Sequence, residues 1–323
     1  MAELTRALAD AAAMAGRAPS VHNTQPWRWT VLPDRLELTL DTHRQLAAVD
    51  PQGRLAIVSC GAALHHARVA LAAEGWEAVI HRLPDPARPD LLAVVLPGEA
   101  RTPDPAAMRL VQSMWVRHTD RRPLGAEPLS AAAVSVLAEA ARAEGVHLHV
   151  LDPGQVYDLA AAANRAAAVE AADERAQAEL AYWTSRGDGL GVPASAVPAV
   201  PPATTVPARD FGRPGTLPVG EGHDRAAVYG VLYGPGDDRA DWLRAGEALS
   251  AAWLTATVNG VALLPLSAVI EVDVTRSALR RLISGFGWPY LVLRLGIADP
   301  EHAGPAVTPR LAPRATVDTS RAQ

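Results

Sequence analysis

Lysine is absent from the sequence, and cysteine occurs once, at Cys60. All 30 residues of the lysine-plus-arginine total are therefore arginines. Any phosphate that the chain binds through a cation must contact guanidinium groups, which offer bidentate hydrogen bonds that an ammonium group does not. A lone cysteine excludes an intramolecular disulfide, so the composition fits a reducing compartment.

The sequence also lacks a block of basic residues and a long uncharged apolar run. The net charge is −5 at pH 7, so a nucleic-acid partner is not predicted. No stretch of about 18 uncharged apolar residues is present, which argues against a membrane span. Glu3, Arg6 and Asp10 interrupt the N-terminal apolar region, so no export signal is predicted and the cytoplasm is the expected location.

Hydrophobic periodicity predicts a mixture of helices and strands along the 323 residues, whose 49% hydrophobic content can bury a large core. A chain of this length is more compatible with two folded units than with one. The predicted helices are 2–16, 54–74, 127–144, 153–186 and 239–259, and the predicted strands are 28–32, 35–41, 76–83, 91–96, 146–151, 226–233, 261–270 and 289–297. Residues 97–105 are predicted to form a linker because Pro, Gly and Asp punctuate them.

Two adjacent histidines, His65 and His66, lie within the predicted helix 54–74. Neighbouring residues of a helix face different directions, so the two rings are not expected to share a metal ion. No third ligand follows at a suitable spacing, and no metal site is predicted. Both histidines are expected to be surface or packing residues.

A polar and aromatic loop, residues 18–29, reads APSVHNTQPWRW. Pro19 and Pro26 fix their own φ angles and bias the preceding residues away from helix. A stiff, non-helical backbone then presents Ser20, His22, Asn23, Thr24 and Gln25. Such a loop can direct several hydrogen-bonding groups at one ligand, although an ordinary helix-to-strand connection is the alternative interpretation.

A second informative stretch, residues 114–124, reads MWVRHTDRRPL. Its closely spaced arginines and one histidine could form a solvated surface patch, which is the usual interpretation of such a cluster. They could equally bind an anion, since guanidinium groups pair well with phosphate.

Both stretches resemble elements of the FMN-dependent nitroreductases, and the chain is most similar to their Acg-like branch. The string APSxxNxQPW resembles the family loop that contacts the flavin ribityl and phosphate, and RHTDR resembles the R-x-S-x-R/K element that binds the FMN phosphate. The resemblance implies cofactor binding by Ser20, His22, Asn23, Gln25, Pro26, Arg117, His118, Thr119 and Arg121.

Two further segments resemble the family more weakly. GVALLPLSAV, residues 260–269, is similar to the family's G-L-x-x-x-P-x-x-G segment beside flavin N5. The resemblance implies that the redox face is lined by Pro265, Leu266, Ser267 and Ala268. Members of the family commonly have an acidic residue and a glycine at the positions of Ser267 and Ala268. A basic residue near the C-terminus completes the phosphate site in the family, which makes Arg310 a candidate, with a solvated tail as the alternative.

The two motifs stand in different halves of the chain. The first half carries the loop but has no R-x-S-x-R element before it, and the second half carries RHTDR but has only GVHLHVL where the loop would stand. Dimeric nitroreductases take the two elements of each FMN site from different subunits. The resemblance therefore implies a single-chain pseudo-dimer with one FMN, made of halves 1–110 and 111–323, each part of an α+β, three-layer α/β/α fold. Further self-association stays open.

Residues 187–222 are rich in Pro and Gly and show little periodicity. A structureless stretch of this length in a compact protein is either disordered or functional. Because it interrupts the second half, and because some members of the Acg-like branch have such a segment, a lid over the ligand site is expected, with a linker as the alternative.

The resemblance implies an FMN oxidoreductase in which NAD(P)H reduces the flavin and then yields its place to a nitroaromatic or quinone-type acceptor. The cofactor supplies the chemistry, so no catalytic acid or nucleophile is predicted. An FMN-sequestering protein with a closed lid and little turnover is the alternative, and a scaffold without flavin is a third possibility.

Overall fold

The computed structural model describes residues 2–220, 223–298 and 307–322. The helices are α1 (Ala2–Ala15), α2 (Arg54–Ala73), α3 (Pro105–Val116), α4 (Ala131–Ala143), α5 (Pro153–Ala172), α6 (Glu174–Thr184), α7 (Arg239–Val258), α8 (Ala268–Glu271) and α9 (Asp273–Leu282). The strands are β1 (Trp27–Val31), β2 (Leu36–Leu40), β3 (Trp76–Arg82), β4 (Leu91–Ala100), β5 (His147–Val150), β6 (Val228–Gly234), β7 (Val261–Leu266), β8 (Trp288–Ile297) and β9 (Val317–Asp318). The predicted α+β class is confirmed.

The strands form two sheets whose orders correspond. The first sheet has the order β3-β4-β2-β1-β9 and the second has the order β7-β8-β6-β5. Strands β1 to β4 and β5 to β8 thus occupy matching positions, and neighbours within each set run antiparallel. The extra strand β9 pairs in parallel with β1 through Trp29 and Val317, so the C-terminal segment returns to the first sheet.

Helices α2 and α7 form the centre of the molecule, where they pack against each other. Each helix also contacts its own sheet, α2 on strands β1 to β4 and α7 on β6 and β7. Two glycines allow the close approach, because a Cβ on Gly61 would lie 2.0 Å from the Leu243 carbonyl oxygen and one on Gly246 would lie 1.9 Å from the Val58 oxygen. Among the described helices, α2 is long and apolar enough to cross a membrane, and 89% of its most apolar window is buried in the fold.

Both adjacent histidines lie at this helix-to-helix contact. The Nδ1 atoms of His65 and His66 lie 2.8 Å and 2.9 Å from the same Ser250 hydroxyl oxygen on α7. The expectation that the rings point in different directions was therefore wrong, since both reach one hydroxyl. Burial lowers the pKa of His65 to about 4, so this ring packs as a neutral group. No cluster of metal-binding side chains occurs among the described residues.

Three element boundaries differ from the sequence prediction for local reasons. The predicted helix 153–186 is two helices, because the Asp173 side chain accepts hydrogen bonds from the backbone of Arg175 and Ala176 and starts α6. Helix α4 begins at Ala131, where the Ser130 hydroxyl caps it. Strand β4 continues into the predicted linker, since Pro97 lies where β4 is paired with β3 alone.

Candidate functional site

A cavity of about 1050 Å³ lies where the two halves of the chain meet. Sites for small molecules and cofactors usually measure roughly 300–1,000 Å³, so this cavity has room for more than one small ligand. Of the residues singled out in the sequence, the structure places Ser20, His22, Asn23, Arg117, His118, Thr119, Arg121, Pro265, Leu266, Ser267, Ala268 and Arg310 in its lining. The motifs of the first and second halves therefore converge on one space.

The polar loop has a strained backbone. His22, Asn23 and Gln25 have φ angles of 45°, 55° and 50°, the left-handed region that side chains other than glycine rarely adopt. The Ser20 hydroxyl accepts a hydrogen bond from the Gln25 backbone at 2.9 Å, and the Arg44 guanidinium donates to the Gln25 carbonyl oxygen at 3.0 Å. Residues in such strained conformations, held in place by hydrogen bonds, cluster at ligand-binding sites.

The side-chain amides of the loop hold neighbouring segments in place. Asn23 donates from Nδ2 to the carbonyl oxygens of Gly191 and Pro309, both at 3.0 Å. Gln25 donates to the Gly189 oxygen at 2.8 Å, and its Oε1 accepts from the backbone of Leu311 at 3.0 Å. Gln25 therefore joins the lid segment to the C-terminal segment and does not line the cavity.

Pro26 also lies outside the cavity lining. Its carbonyl oxygen accepts a hydrogen bond from the backbone of Asp41 at 2.9 Å and contacts the Cys60 thiol at 3.3 Å. Asn23, in contrast, lines the cavity and keeps a buried Oδ1 with no hydrogen-bond partner. An unpartnered buried oxygen of this kind is available to a ligand donor.

Two arginines at one end of the cavity have no acidic partner. Arg117 and Arg310 both direct a guanidinium nitrogen at the Arg17 carbonyl oxygen, at 3.3 Å and 3.5 Å. Arg117 also stacks over the ring of Trp253, 4.4 Å from its centroid. No carboxylate within the described ranges pairs with either guanidinium, and the Nε atom of each is buried without a partner.

The electrostatics at this end favour an anion. Burial and the charge of Arg310 hold the pKa of Arg117 well below its usual value. Burial and the charge of Arg17 lower the pKa of Arg310 to about 10. Buried charges of one sign without counter-ions are costly, so this pair, which we call the arginine clamp (Arg117 and Arg310), is suited to a phosphate or carboxylate.

Arg121 lies in a different environment from the arginine clamp. It donates to the Ala196 carbonyl oxygen at 3.0 Å and lies 5.3 Å from the ring centroid of Phe211. Burial and the neighbouring charge of Arg209 lower its pKa to about 10. Ala196, Phe211 and Arg209 all belong to the predicted lid, so Arg121 contacts the segment that covers the cavity.

The predicted lid contributes many residues to the cavity lining in the part that the structure describes. Its last two residues, 221 and 222, fall outside the described residues. The segment folds back on itself through pairing of Pro198 with Leu217, and Phe211 and Val197 pack in a small core with Leu180. Most of 197–214 lines the cavity.

A buried ionic group next to the lid was not identified from the sequence. The Nη2 atom of Arg209 lies 2.6 Å from Oε2 of Glu271 and 3.4 Å from Oε1 of Glu170. Arg209 follows a run of uncharged residues, 189–208, but Asp210 comes directly after it, so the sequence context carries no signal of its burial. Glu170 stands in an alanine-rich helix, and its sequence context carries no such signal.

Relatives of this chain are found in Mycobacterium tuberculosis. One, from strain H37Rv, is named "Putative NAD(P)H nitroreductase" and is 40% identical over 306 residues, which cover 92% of this chain and 87% of the relative. The Acg protein of that strain has the same descriptive name and is 34% identical over 313 residues, covering 95% and 93%. No family model matches the chain.

Solved structures of low sequence identity are also similar to parts of the chain. The FMN- and NADPH-dependent nitroreductase NfnB from a Sphigopyxis species has a TM-score of 0.41 and 14% identity, over 65% of this chain and 97% of that chain. A nitroreductase with bound FMN from Bacteroides fragilis has a TM-score of 0.38 and 12% identity, over 60% and 90%.

Proposed function

The chain belongs to the NAD(P)H nitroreductase family, and on that premise we propose that it is an FMN-binding oxidoreductase that reduces small-molecule acceptors at the expense of NAD(P)H. Nitroaromatics and quinones are the proposed acceptors. The observation that carries the proposal is the convergence of the strained loop and the unpaired arginine clamp on one large cavity.

The residues present fit FMN. A phosphate supplies the negative charge that Arg117 and Arg310 lack among the described residues, and a ribityl chain supplies hydroxyl donors for the unpartnered Oδ1 of Asn23. Ser267 and Ala268, after the end of β7, line the same cavity on the side expected for the redox face. Bound FMN would transfer a hydride equivalent from the nicotinamide to the acceptor, and the protein would bind and orient both.

The matching sheet orders support a pseudo-dimer with one FMN site. The second half, 111–323, contributes Arg117 and the first half, 1–110, contributes the loop. Strand β3 matches strand β7 in the two sheet orders. At the end of β3, Arg82 forms two hydrogen bonds with Glu247, at 2.7 Å and 2.9 Å, and Arg68 bridges Glu247 and Glu144. This paired ionic cluster stands at the end of β3, and the matching strand β7 ends beside the cavity residues Ser267 and Ala268. The cytoplasmic location and any further self-association stay predictions.

Flavin stoichiometry tests the single site. We expect one FMN per chain, because the arginine clamp has no counterpart beside the Arg82 and Glu247 pair. Acid-released FMN measured against protein concentration by amino-acid analysis would give this ratio. Two FMN molecules per chain would contradict a single composite site, whereas a ratio below one that rises to one on adding FMN would agree with it.

Shortening the lid tests access to the site. Replacing 200–204 with a two-residue Gly-Ser linker removes five lining residues from the cavity wall and keeps Arg209. We expect kcat/KM for a bulky quinone to rise by roughly tenfold, which corresponds to about 1.4 kcal/mol in the barrier. A small quinone should change little and serves as the matched comparison. Equal changes for both acceptors would show that the lid does not select by size.

FMN storage is a second candidate function, favoured by the way the lid packs over the cavity. Steady-state oxidation of NAD(P)H by the FMN-loaded protein separates the two functions. Turnover with a nitroaromatic or quinone supports the oxidoreductase, and a yellow, folded protein without turnover supports storage.

A further inference from the structure

Two carboxyl groups and one guanidinium meet beside the cavity. Glu170, near the end of α5, lines the cavity, and Glu271 ends α8, one helical turn after Ser267. Arg209 reaches them from the lid and contacts both carboxyl groups with the same nitrogen, Nη2. The two acids are therefore close neighbours, and each keeps an Oε1 atom that is buried without a hydrogen-bond partner.

With one guanidinium between two carboxyl groups, this arrangement stabilises one ionised carboxylate better than two. Arg209 approaches Glu271 at 2.6 Å and Glu170 at 3.4 Å, so Glu271 is the better-paired carboxylate. Burial, against the opposing charge of Arg209 and together with the neighbouring Glu271, raises the pKa of Glu170 to about 7. Although burial alone would raise the pKa of Glu271, the charge and the hydrogen bond of the Arg209 guanidinium lower it. Arg121, which contacts the lid next to Arg209, is a further charged group on this side, and so is Asp50, whose pKa is raised to about 6 by burial with a contribution from the charge of Glu271.

Among the other titratable groups of the cavity, Asp210, His22 and the arginines are poorer proton donors. His118 also lines the cavity, and its Nδ1 lies 3.0 Å from the Val116 carbonyl oxygen. Asp210 is the other carboxyl group in the lining, and it is exposed and accepts a hydrogen bond from the backbone of Gly212. Burial and the charges of Arg209 and Arg121 lower the pKa of His22 to about 3, so its ring is neutral near pH 7. The lining arginines stay protonated because guanidinium groups do not release protons at neutral pH.

We propose that Glu170 is the proton donor to acceptors that are reduced at a carbonyl oxygen, as quinones are, and that Glu271 and Arg209 position it. This inference rests on the proposed function. A quinone becomes a hydroquinone by gaining two electrons and two protons. NAD(P)H supplies a hydride, which carries both electrons and one proton. The O–H bond of Glu170 breaks, an O–H bond forms at the acceptor oxygen, and the Glu170 carboxylate regains a proton from water.

Arg209 couples the proton donor to the lid. Because Arg209 belongs to 197–214, the ion pair with Glu271 exists only while the lid covers the cavity. An open lid leaves both carboxyl groups hydrated, and hydration returns carboxyl pKa values toward their usual range near 4. A pKa of about 7 thus leaves a large fraction of Glu170 protonated near neutral pH when the acceptor is enclosed.

The test compares Glu170→Gln with Glu127→Gln, which changes an exposed carboxyl group remote from these contacts. Stopped-flow measurements separate reduction of the bound FMN by NAD(P)H from its reoxidation by a quinone. We expect Glu170→Gln to slow reoxidation by roughly 100-fold, a typical effect of losing a general acid, and to leave the reductive step unchanged. Glu170→Asp should recover part of the loss.

The pH dependence of the reoxidation rate shows whether the protonated or the ionised form of Glu170 is active. Because the protonated acid is the active form, reoxidation in the wild type should fall as pH rises through about 7. This fall should be absent in Glu170→Gln and present in Glu127→Gln. Equal reoxidation rates and equal pH profiles in the wild type and Glu170→Gln would overturn the proposal.

An infrared titration of the FMN-free protein measures the protonation of Glu170 without catalytic turnover. The component of the protonated-carboxyl C=O band that titrates near pH 7 should be lost in Glu170→Gln, whereas the component from Asp50, whose pKa burial raises to about 6, should remain. If that band is unchanged by the substitution, Glu170 does not hold the proton. A wild-type protein that shows the band but does not bind FMN would instead contradict the proposed oxidoreductase function.

Discussion

Replacing Arg117 and Arg310 together with alanine is expected to weaken FMN binding by at least roughly 100-fold. Each guanidinium lacks a carboxylate partner in the described structure, and a hydrogen bond to a charged group is worth about 1.5–3 kcal/mol. Two such losses exceed the about 2.7 kcal/mol that corresponds to 100-fold. Titration of the FMN-free protein, followed by quenching of flavin fluorescence, measures the dissociation constant.

Arg6→Ala is the matched control, because Arg6 is an exposed arginine on α1 whose side chain pairs with Asp10. Circular dichroism should show that the double variant remains folded. Arg121→Ala is expected to have a smaller effect, since Arg121 contacts Ala196 of the lid and stands apart from the arginine clamp. An unchanged affinity in the double variant would mean that the phosphate binds elsewhere.

Substituting Gly246 with alanine is expected to destabilise the fold by about 3 kcal/mol, the upper part of the range for overpacking a core. A Cβ at this position would lie 1.9 Å from the Val58 carbonyl oxygen and 2.8 Å from the Cα of Gly61. Both neighbours are backbone atoms of α2, so the two central helices must move apart. Urea unfolding monitored by circular dichroism measures the change in free energy.

Gly187→Ala is the control for this substitution, because a Cβ there meets nothing within 4 Å and its backbone is not left-handed. We expect its unfolding midpoint to stay near that of the wild type. Equal stabilities for Gly246→Ala and the wild type would show that the helices accommodate a methyl group without separating.

The parts of the site that are contiguous in sequence could be predicted. The loop between Pro19 and Pro26 and the RHTDR stretch are short local patterns, and the lid is marked by its Pro and Gly content. The structure brings all three segments to one cavity. The same local patterns did not show that Gln25 holds two chain segments together, since those partners come from Gly189 and Leu311.

The parts that depend on distant packing could not be predicted. The contacts of Arg209 with Glu170 and Glu271 join three segments that are far apart in the chain, and each residue alone resembles an ordinary surface charge. The break at Asp173 was missed because apolar periodicity continues through it, and only the side-chain cap reveals it. Strand β9 is too short for any alternation pattern, so its pairing with β1 is visible only in the fold.

The parallel pairing of Trp29 with Val317 means that the polypeptide crosses between its two halves twice. With the proposed halves 1–110 and 111–323, the first crossing follows the exposed connection 101–104 and runs through α3, and the second is the C-terminal segment that carries Arg310. The second crossing returns the described residues 307–322 to the sheet of the proposed first half. Cleavage of the peptide chain in the first connection would leave the two fragments held together by the C-terminal segment. Arg310, which completes the anion pocket, belongs to that segment.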